Sequence, residues 1–475
     1  MPSSSPTPVL LSPLLVLLLP FFSQVAALSS SEEWADFSDN FATDLAPLIT
    51  LFGEQVTKQF LSESVSWLDN VIFALAPLGI LTAVVSAIRL YGSASLKSFI
   101  GRAQEAHGVA EAELCSSTSE DVCEMWSNGG ICRVFGRPKI LEFMYTKSRS
   151  CYQDGFDVAD GEPPHCGIYP VKEVLTGNTP DGSSDRWVET TTAPSRRFAP
   201  FPNLSLNVGT RRTSLEVLVT AVAAGLVLEA SFFGYATWAT FYNSGFYTEE
   251  DAPRLWSFVL GMAGTVCLML GMGLCALLVE QRSGERRFRC LHKPDGVQPQ
   301  IFWLQCGDQR VGDQQFRSFA YSEEKKEYMT SFPQYEMQLG VYGLNRSVVL
   351  WLAIVLSLLG FACQFVGFRG LHGSVTLYQL ACTLVMSAVR ALLRSRRLRR
   401  DQNRLESFSR DFDSDELDWQ AMAIIGNDYP RRDGELPNSA QAWRVETYTS
   451  GTVNLIAMVQ QHPSIPSRCR RAGAW

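Results

Sequence analysis

The chain has 475 residues, of which 46% are hydrophobic and 19% are charged, and its formal net charge at pH 7 is −7. The hydrophobic residues are concentrated in long runs instead of recurring at the spacing of a soluble core, which indicates a membrane protein. The net charge is mild, and the basic residues lie beside the apolar runs without interleaved aromatic residues. These features exclude a nucleic-acid partner.

The first apolar run, residues 9–22, is short and contains two prolines, and the small-residue sequence VAA follows it at residues 25–27. This arrangement fits a signal peptidase site, so residues 1–27 are interpreted as a cleavable signal peptide. The alternative is an uncleaved first membrane helix, because no Lys or Arg precedes the run. After cleavage, residues 28–70 would form an exoplasmic N-terminal segment.

Five later runs are each long enough to cross about 30 Å of hydrocarbon, which takes roughly 20 helical residues. The sequence therefore predicts an all-α membrane protein with five transmembrane helices after the signal peptide, and with partly ordered cytosolic loops. The predicted helices are residues 71–91, 215–242, 255–279, 348–368 and 374–393.

Basic residues at the ends of these runs predict the orientation, because cytoplasmic flanks retain Lys and Arg. Lys and Arg are concentrated at the ends of residues 92–214, 280–347 and 394–475, so these three segments are predicted to be cytosolic. The C-terminus is then cytosolic, and the N-terminus is exoplasmic if the signal is cleaved. The predicted location is the plasma membrane or an endomembrane.

A basic cluster follows the fifth predicted helix. Each Lys or Arg at an anionic leaflet contributes about 1 kcal/mol to membrane binding, so this cluster is expected to hold the tail against the cytosolic leaflet. Its members are Arg394, Arg396, Arg397, Arg399 and Arg400.

Glu229 lies near the middle of the second predicted helix, where a charge costs about 3 kcal/mol on insertion scales. It follows Ala221 and Gly225 at intervals of four residues, so we predict that it lies on a helix-packing face, hidden from lipid. When protonated it could donate a hydrogen bond to a neighbouring helix. The candidate partners are Gln364, Gln379 and, nearer the cytosolic end, Arg390. A second packing stripe is predicted on the third helix, at Ala263, Cys267, Gly271 and Cys275.

The cytosolic segments offer few signs of chemistry. The first contains five cysteines whose spacings are wider than those of zinc sites, which predicts reduced thiols and no metal or cofactor. They are Cys115, Cys123, Cys132, Cys151 and Cys166. The second contains short aromatic segments separated by Gly-Asp turns, between residues 300 and 321, which predicts one β-hairpin.

Three stretches of the chain resemble the recurring blocks of an uncharacterised family of multi-pass membrane proteins from filamentous fungi. They are DNFATDLAPLITLFGEQVTKQFLSESVSWLDNVIFALAPLGILTAVVSAIRL, CSSTSEDVCEMWSNGGICRVFGRPKILE and QFVGFRGLHGSVTLYQLACTLVMSAVRALLRSRRL. The blocks extend over residues 39–398. The resemblance implies a multi-pass membrane fold and no activity. Some relatives are joined to ankyrin-type repeats; this chain has no such segment, so a repeat-mediated partner is not implied.

Two classes of function remain. The first is a membrane-anchored interaction or signalling protein, in contact with the lipid bilayer and a cytosolic protein partner. The second is a small proton- or cation-coupled transporter or channel that uses Glu229. A single central acid and the lack of an inverted repeat favour the first class. An enzyme is least favoured, because the sequence contains no P-loop, dinucleotide fingerprint, nucleophile elbow or HExxH motif.

Overall fold

The computed structural model describes residues 53–64, 66–127, 130–146, 167–177, 187–191, 197–209, 213–243, 255–291, 299–307, 309–334 and 345–395. The chain divides into two compact units. We call Met1–Cys115, Arg211–Ser283 and Gln334–Arg397 the membrane unit, and Ser116–Thr210 with Gly284–Pro333 the β-rich unit. The predicted signal peptide and nearly all of the predicted tail lie outside the described residues.

The described helices are numbered here in chain order. They are α1 (Glu54–Ser62), α2 (Trp67–Ala74), α3 (Ile80–Tyr91), α4 (Ala94–Phe99), α5 (His107–Leu114), α6 (Val171–Thr176), α7 (Leu215–Phe241), α8 (Leu255–Glu280), α9 (Arg346–Arg369) and α10 (Gly373–Leu393). Four of them, α7 to α10, are long and apolar enough to cross a membrane. These four match the second to fifth predicted spans to within two residues at each end.

The first predicted span, residues 71–91, is not a continuous helix. Helix α2 ends at Ala74 and α3 begins at Ile80. Pro77, between them, has no backbone N–H to donate, while Ala76 and Gly79 have φ angles of 47° and 67°, which a right-handed helix does not accommodate. The prediction of five transmembrane helices is therefore unconfirmed at this element, and the described residues contain four helices that are long and apolar enough to cross a membrane.

Helices α2 and α3, joined by residues 75–79, form a helical segment that we call the hairpin, with residues 75–79 as its tip. At the start of α2, Asn70 donates a hydrogen bond to Glu280, the last residue of α8. At the end of α3, the Tyr91 ring lies 5.6 Å from the guanidinium of Arg282 and 5.3 Å from that of Arg346, beside the same ends of α8 and α9. The hairpin thus starts and finishes at one end of the long helices.

Helices α8 and α9 pack against each other at glycines. A Cβ atom at Gly264 would lie 2.3 Å from the backbone N of Gln364, and one at Gly360 would lie 2.6 Å from that of Leu268. Close backbone approach of this kind is how membrane helices associate without a hydrophobic driving force.

The contact face of α8 differs from the predicted stripe. Gly271 and Cys275 are buried, but Ala263 is exposed and Cys267 is only partly buried. Residues at strict intervals of four drift around a helix by about 40° per step, since a turn takes 3.6 residues. The face that meets α9 instead alternates three- and four-residue steps, through Gly261, Gly264, Leu268 and Gly271.

The β-rich unit makes the all-α prediction wrong. Its strands are β1 (Val122–Ser127), β2 (Gly130–Phe135), β3 (Ile140–Thr146), β4 (Gly167–Pro170), β5 (Trp187–Glu189), β6 (Ser283–Cys290), β7 (Gln300–Gln305), β8 (Gln309–Val311), β9 (Gln314–Phe316), β10 (Phe319–Glu324) and β11 (Glu327–Pro333). They form a four-stranded sheet in the order β10-β7-β3-β4, a three-stranded sheet β11-β6-β5, and the pairs β1-β2 and β8-β9.

The β-hairpin predicted between residues 300 and 321 is present as two nested pairs. Strands β8 and β9 pair around a turn at Gly312, whose φ is 60°, and the flanking strands β7 and β10 pair antiparallel outside them. The core of the unit includes Met144, Leu204 and Trp303, each fully buried.

Candidate functional site

Glu229 is buried on the face of α7 that also buries Ala221 and Gly225; its exposed fraction is 3%. Gly225 permits this arrangement, because a Cβ atom there would lie 2.8 Å from Leu75 in the hairpin tip. The absence of a side chain lets the tip approach the α7 backbone. The structure therefore places the acid against the hairpin and away from the outer surface of α7.

The Glu229 carboxylate binds the backbone of the hairpin tip. Its Oε1 accepts a hydrogen bond from the backbone N–H of Ala76 at 2.9 Å. Ala76 belongs to the non-helical segment between α2 and α3, so its N–H has no partner within a helix. The carboxylate supplies that partner where water is excluded.

Arg390 binds the same tip from α10, and only 2% of it is exposed. Its Nε donates to the carbonyl of Ile72 at 3.3 Å, and its Nη2 donates to those of Phe73 at 3.3 Å and Ala76 at 2.9 Å. Nη2 also donates to the carbonyl of Leu75. One guanidinium thus satisfies the carbonyls that the end of α2 leaves without helical partners.

The charges match the helix dipoles at the tip. The C-terminal end of α2 carries partial negative charge and faces the cation Arg390, while the N-terminal end of α3 carries partial positive charge. The anion Glu229 lies at the N–H of Ala76, on the side where α3 begins. Broken helices whose ends point at charged groups are the way membrane proteins build polar sites at mid-bilayer depth.

Gln379 lies beside the Glu229 carboxylate, and 7% of it is exposed. Within the described residues, Glu229 Oε2 and Gln379 Oε1 are both buried without a hydrogen-bond donor. Buried acceptors normally have a donor. A proton carried by Glu229 would make its carboxyl group a donor as well as an acceptor.

Gln364, the other predicted amide partner, does not join the site. Its Nε2 donates to Thr265 Oγ1 at 3.0 Å, across the α8-α9 contact. The reason is its position on α9, whose glycine-lined face meets α8.

Arg394 is not at an exposed membrane surface as predicted. It is 8% exposed, it pairs with Asp69 at 3.0 Å, and its guanidinium stacks on the Phe60 ring at 4.4 Å. Asp69 belongs to the N-terminal capping box of α2, so the ion pair with Arg394 stabilises the start of the hairpin. The remaining members of the predicted basic cluster, Arg396, Arg397, Arg399 and Arg400, lie outside the described residues.

The predicted cysteines contribute no metal site among the residues that the structure describes. Cys115 and Cys123 are buried and Cys132 is partly buried, while Cys151 and Cys166 fall outside the described residues. Burial raises the pKa of the Cys123 thiol to about 12, so this thiol is protonated at neutral pH.

The hairpin tip is the part of the site that sequence reasoning missed. The signal was present: a Pro-x-Gly sequence, Pro77 to Gly79, interrupts the apolar run close to its centre.

No known protein family, curated protein or solved structure matches the chain.

Proposed function

We propose that this chain is a membrane-anchored interaction or signalling protein, in which the membrane unit anchors the β-rich unit and a cytosolic protein is the ligand. One observation carries the proposal. The two charged side chains at the hairpin tip, Glu229 and Arg390, both bind fixed backbone groups of the hairpin. Because both side chains are bound to the backbone, their charges hold the hairpin in place, which supports the role of the membrane unit as a stable anchor. The proposed kinship with the fungal multi-pass family rests on the sequence blocks alone.

Photo-crosslinking tests the proposed partner. A photoreactive residue replacing Phe135 or Val188, which are 47% and 43% exposed on strands of the β-rich unit, is expected to give a discrete protein adduct in intact cells. The matched control is the same residue at Leu226, which is 53% exposed on the outer face of α7 and is expected to meet lipid. Adducts at Leu226 alone would contradict the proposal.

A second candidate, a small proton-coupled transporter, is favoured by one specific observation. Glu229 Oε2 and Gln379 Oε1 are buried acceptors without donors in the described part of the chain, and such a pair can take up and release a proton. An alkali cation is less suited to this site, because Arg390 already occupies the carbonyls of the tip.

Reconstitution in liposomes separates the two candidates. The anchor predicts that an imposed pH gradient decays no faster with the protein than in empty liposomes. The transporter predicts a faster decay that Glu229→Gln abolishes, because an amide cannot release a proton. Glu216→Gln is the control, since Glu216 is exposed in the first turn of the same helix.

A further inference from the structure

A cavity of about 300 Å³ lies between α1 and the end of α10 in the membrane unit. Its volume is at the lower limit of the cavities that hold small molecules in proteins, about 300 to 1,000 Å³. Its wall has a polar part and an apolar part, and none of the lining residues is acidic. The polar residues are Gln59, Arg390, Arg394 and Ser395, and the apolar residues are Val56, Phe60 and Ala391.

The two arginines of the wall have nitrogen atoms that the rest of the protein does not use. Arg390 is 2% exposed and donates through Nε and Nη2 to the hairpin, whereas its Nη1 makes no hydrogen bond in the part of the chain that the structure describes. Arg394 is 8% exposed and donates through Nη2 to Ser64 and Asp69, and among the described residues its Nε is buried without an acceptor. Buried donors normally have an acceptor. The wall therefore offers two charged donors to an acceptor inside the cavity.

The surrounding charges limit the charge of such an acceptor. Arg394 pairs with Asp69 at 3.0 Å, and its Nε lies 3.9 Å from Glu63 Oε2, beyond hydrogen-bond distance. The negative charge of Glu229 acts on Arg390. These acids offset part of the positive charge without lining the cavity, so a single negative charge suits the site better than two. A carboxylate supplies one charge and two acceptor oxygens.

The apolar part of the wall determines what the carboxylate is attached to. Phe60 is fully buried and carries the Arg394 guanidinium over its ring at 4.4 Å, so the charged and the apolar parts of the wall adjoin. An inorganic anion would leave the apolar part uncovered. A hydrocarbon chain or ring beside the carboxylate would cover it and gain the free energy of apolar burial.

We propose that this cavity binds an organic monocarboxylate. Its carboxylate accepts hydrogen bonds from Arg390 and Arg394, and its apolar body packs against Val56, Phe60 and Ala391. A fatty acid and a soluble aromatic acid share this chemistry, and the experiment distinguishes the two sources.

The test measures the thermal unfolding midpoint of the full-length protein in detergent at neutral pH with four probes. Octanoate and benzoate each combine a carboxylate with an apolar body. Octanol has the chain without the charge, and acetate has the charge without the body. A saturable rise in the midpoint with octanoate or benzoate, larger than with octanol or acetate, supports the site. Response to octanoate alone indicates a fatty acid, response to benzoate alone indicates an aromatic acid, and response to both shows that either body fits.

Variants that fill the cavity locate the effect and leave both arginines in place. Ala391→Phe, from α10, should weaken binding of the responding acid about a hundredfold, as expected when the hydrogen bonds from two charged donors are lost. Val56→Phe fills the same cavity from α1 and should have the same effect, so a folding defect in one variant does not decide the test. The matched control is Ala223→Phe, at an exposed residue of α7 that does not line the cavity, which should bind like the wild type.

Three results would overturn the proposal. The first is a midpoint that neither acid raises in the wild type. The second is an equal rise with octanol or with acetate, which would show that the charge or the apolar body is not recognised. The third is undiminished binding in well-folded Ala391→Phe or Val56→Phe protein, which would locate the effect outside this cavity.

Discussion

Arg390 and Glu229 have opposite charges and both bind the backbone of one hairpin tip. Neither would be stable alone in this buried position, because a single buried charge without compensation costs several kcal/mol. The structure compensates each charge with polar backbone atoms and with the other charge. The free-energy cost of burying the Glu229 charge is thus offset by the Ala76 N–H in the hairpin tip and by Arg390 on α10.

Substitutions at Glu229 test this role through stability. Both variants remove the negative charge that faces Arg390, so they differ in the acceptor alone. Glu229→Gln retains an acceptor for the Ala76 N–H, whereas Glu229→Leu leaves that N–H buried without a partner, so the unfolding free energy of the Leu variant should be lower than that of the Gln variant by about 2 kcal/mol. The measurement is the thermal unfolding midpoint in detergent. Equal midpoints for the Gln and Leu variants would show that the acceptor does not stabilise the tip.

Glu142, in the β-rich unit, predicts a dependence of stability on pH. Its carboxylate accepts hydrogen bonds from Trp303 Nε1 at 2.5 Å and from the Tyr328 hydroxyl at 2.7 Å. Burial raises its pKa from 4.5 to about 7, although both hydrogen bonds and the charge of Lys325 oppose the rise. The folded protein therefore binds this proton more tightly than the unfolded chain does.

The sign of the effect follows from this difference. The stabilisation by protonated Glu142 is complete below about pH 4.5 and is lost as the pH rises through about 7, a change of up to about 3 kcal/mol. Urea-dependent pulse proteolysis across this range, with peptides of the β-rich unit followed, measures the slope. Glu142→Gln should flatten it, and an unchanged slope in that variant would assign the dependence to other groups.

At the scale of elements, the hairpin tip depends on the backbone conformation of Gly79. A Cβ atom there would lie 2.2 Å from Thr57 Oγ1, and its φ is 67°. The Thr57 hydroxyl is fixed in that position, because it donates to the carbonyl of Leu78 at 3.2 Å. The tip therefore tolerates neither a side chain nor an ordinary helical conformation at this residue.

Alanine substitutions separate these two requirements. Gly79→Ala should cost about 3 kcal/mol, from left-handed strain together with the steric overlap. Gly101→Ala is the matched control, because Gly101 has a φ of 73° but open space around its Cβ position; it should cost about 1 kcal/mol. Unfolding midpoints of the two variants give the comparison. A Gly79→Ala protein as stable as Gly101→Ala would remove the steric part of the explanation.

If the hairpin enters and leaves the membrane on one side, it predicts which residues share that side. Trp67 at the start of α2 and Ser98 beyond the end of α3 are exposed, as is Tyr242 at the far end of α7. Cysteines replacing Trp67 and Ser98 should react with an impermeant maleimide from the same side, and a cysteine replacing Tyr242 from the other. Wild-type protein in the same sealed vesicles gives the background of native thiols. Labelling of positions 67 and 98 from opposite sides would restore a membrane-crossing helix.

For the whole molecule, the orientation predicts that neither glycosylation sequence carries glycan. Asn203 in NLS is fully buried, and its side chain donates to the carbonyls of Ser116 and Ser331. Asn345 in NRS caps α9 by accepting from the N–H of Ser347 at 3.1 Å. A glycosidase-sensitive mass shift that depends on either asparagine would contradict the orientation.

A double substitution separates orientation from burial in this test. Gly312→Asn with Gln314→Ser creates the sequence N-D-S at an exposed turn of the β-rich unit. Asparagine tolerates the φ of 60° found there. This site should also remain without glycan if the β-rich unit is cytosolic.

The four long helices of this protein could be predicted from the hydropathy of the sequence alone. Length and apolar composition are local properties, so the limits of α7 to α10 follow from the sequence to within two residues. The position of Glu229 on the face of Ala221 and Gly225 follows in the same way, because it depends only on helical period.

Only the tertiary structure decided how the polar groups are used. Arg390 meets carbonyls more than 300 positions away along the chain, at Ile72 and Ala76. Strand β3 pairs with β7, although α7 and α8 separate the two strands in the sequence. Such contacts depend on which elements become neighbours, and hydropathy carries no information about that. The same run of apolar residues, 71–91, suits a crossing helix or a re-entrant hairpin. Partners elsewhere in the chain, on α8, α9 and α10, stabilise the interrupted form of this run.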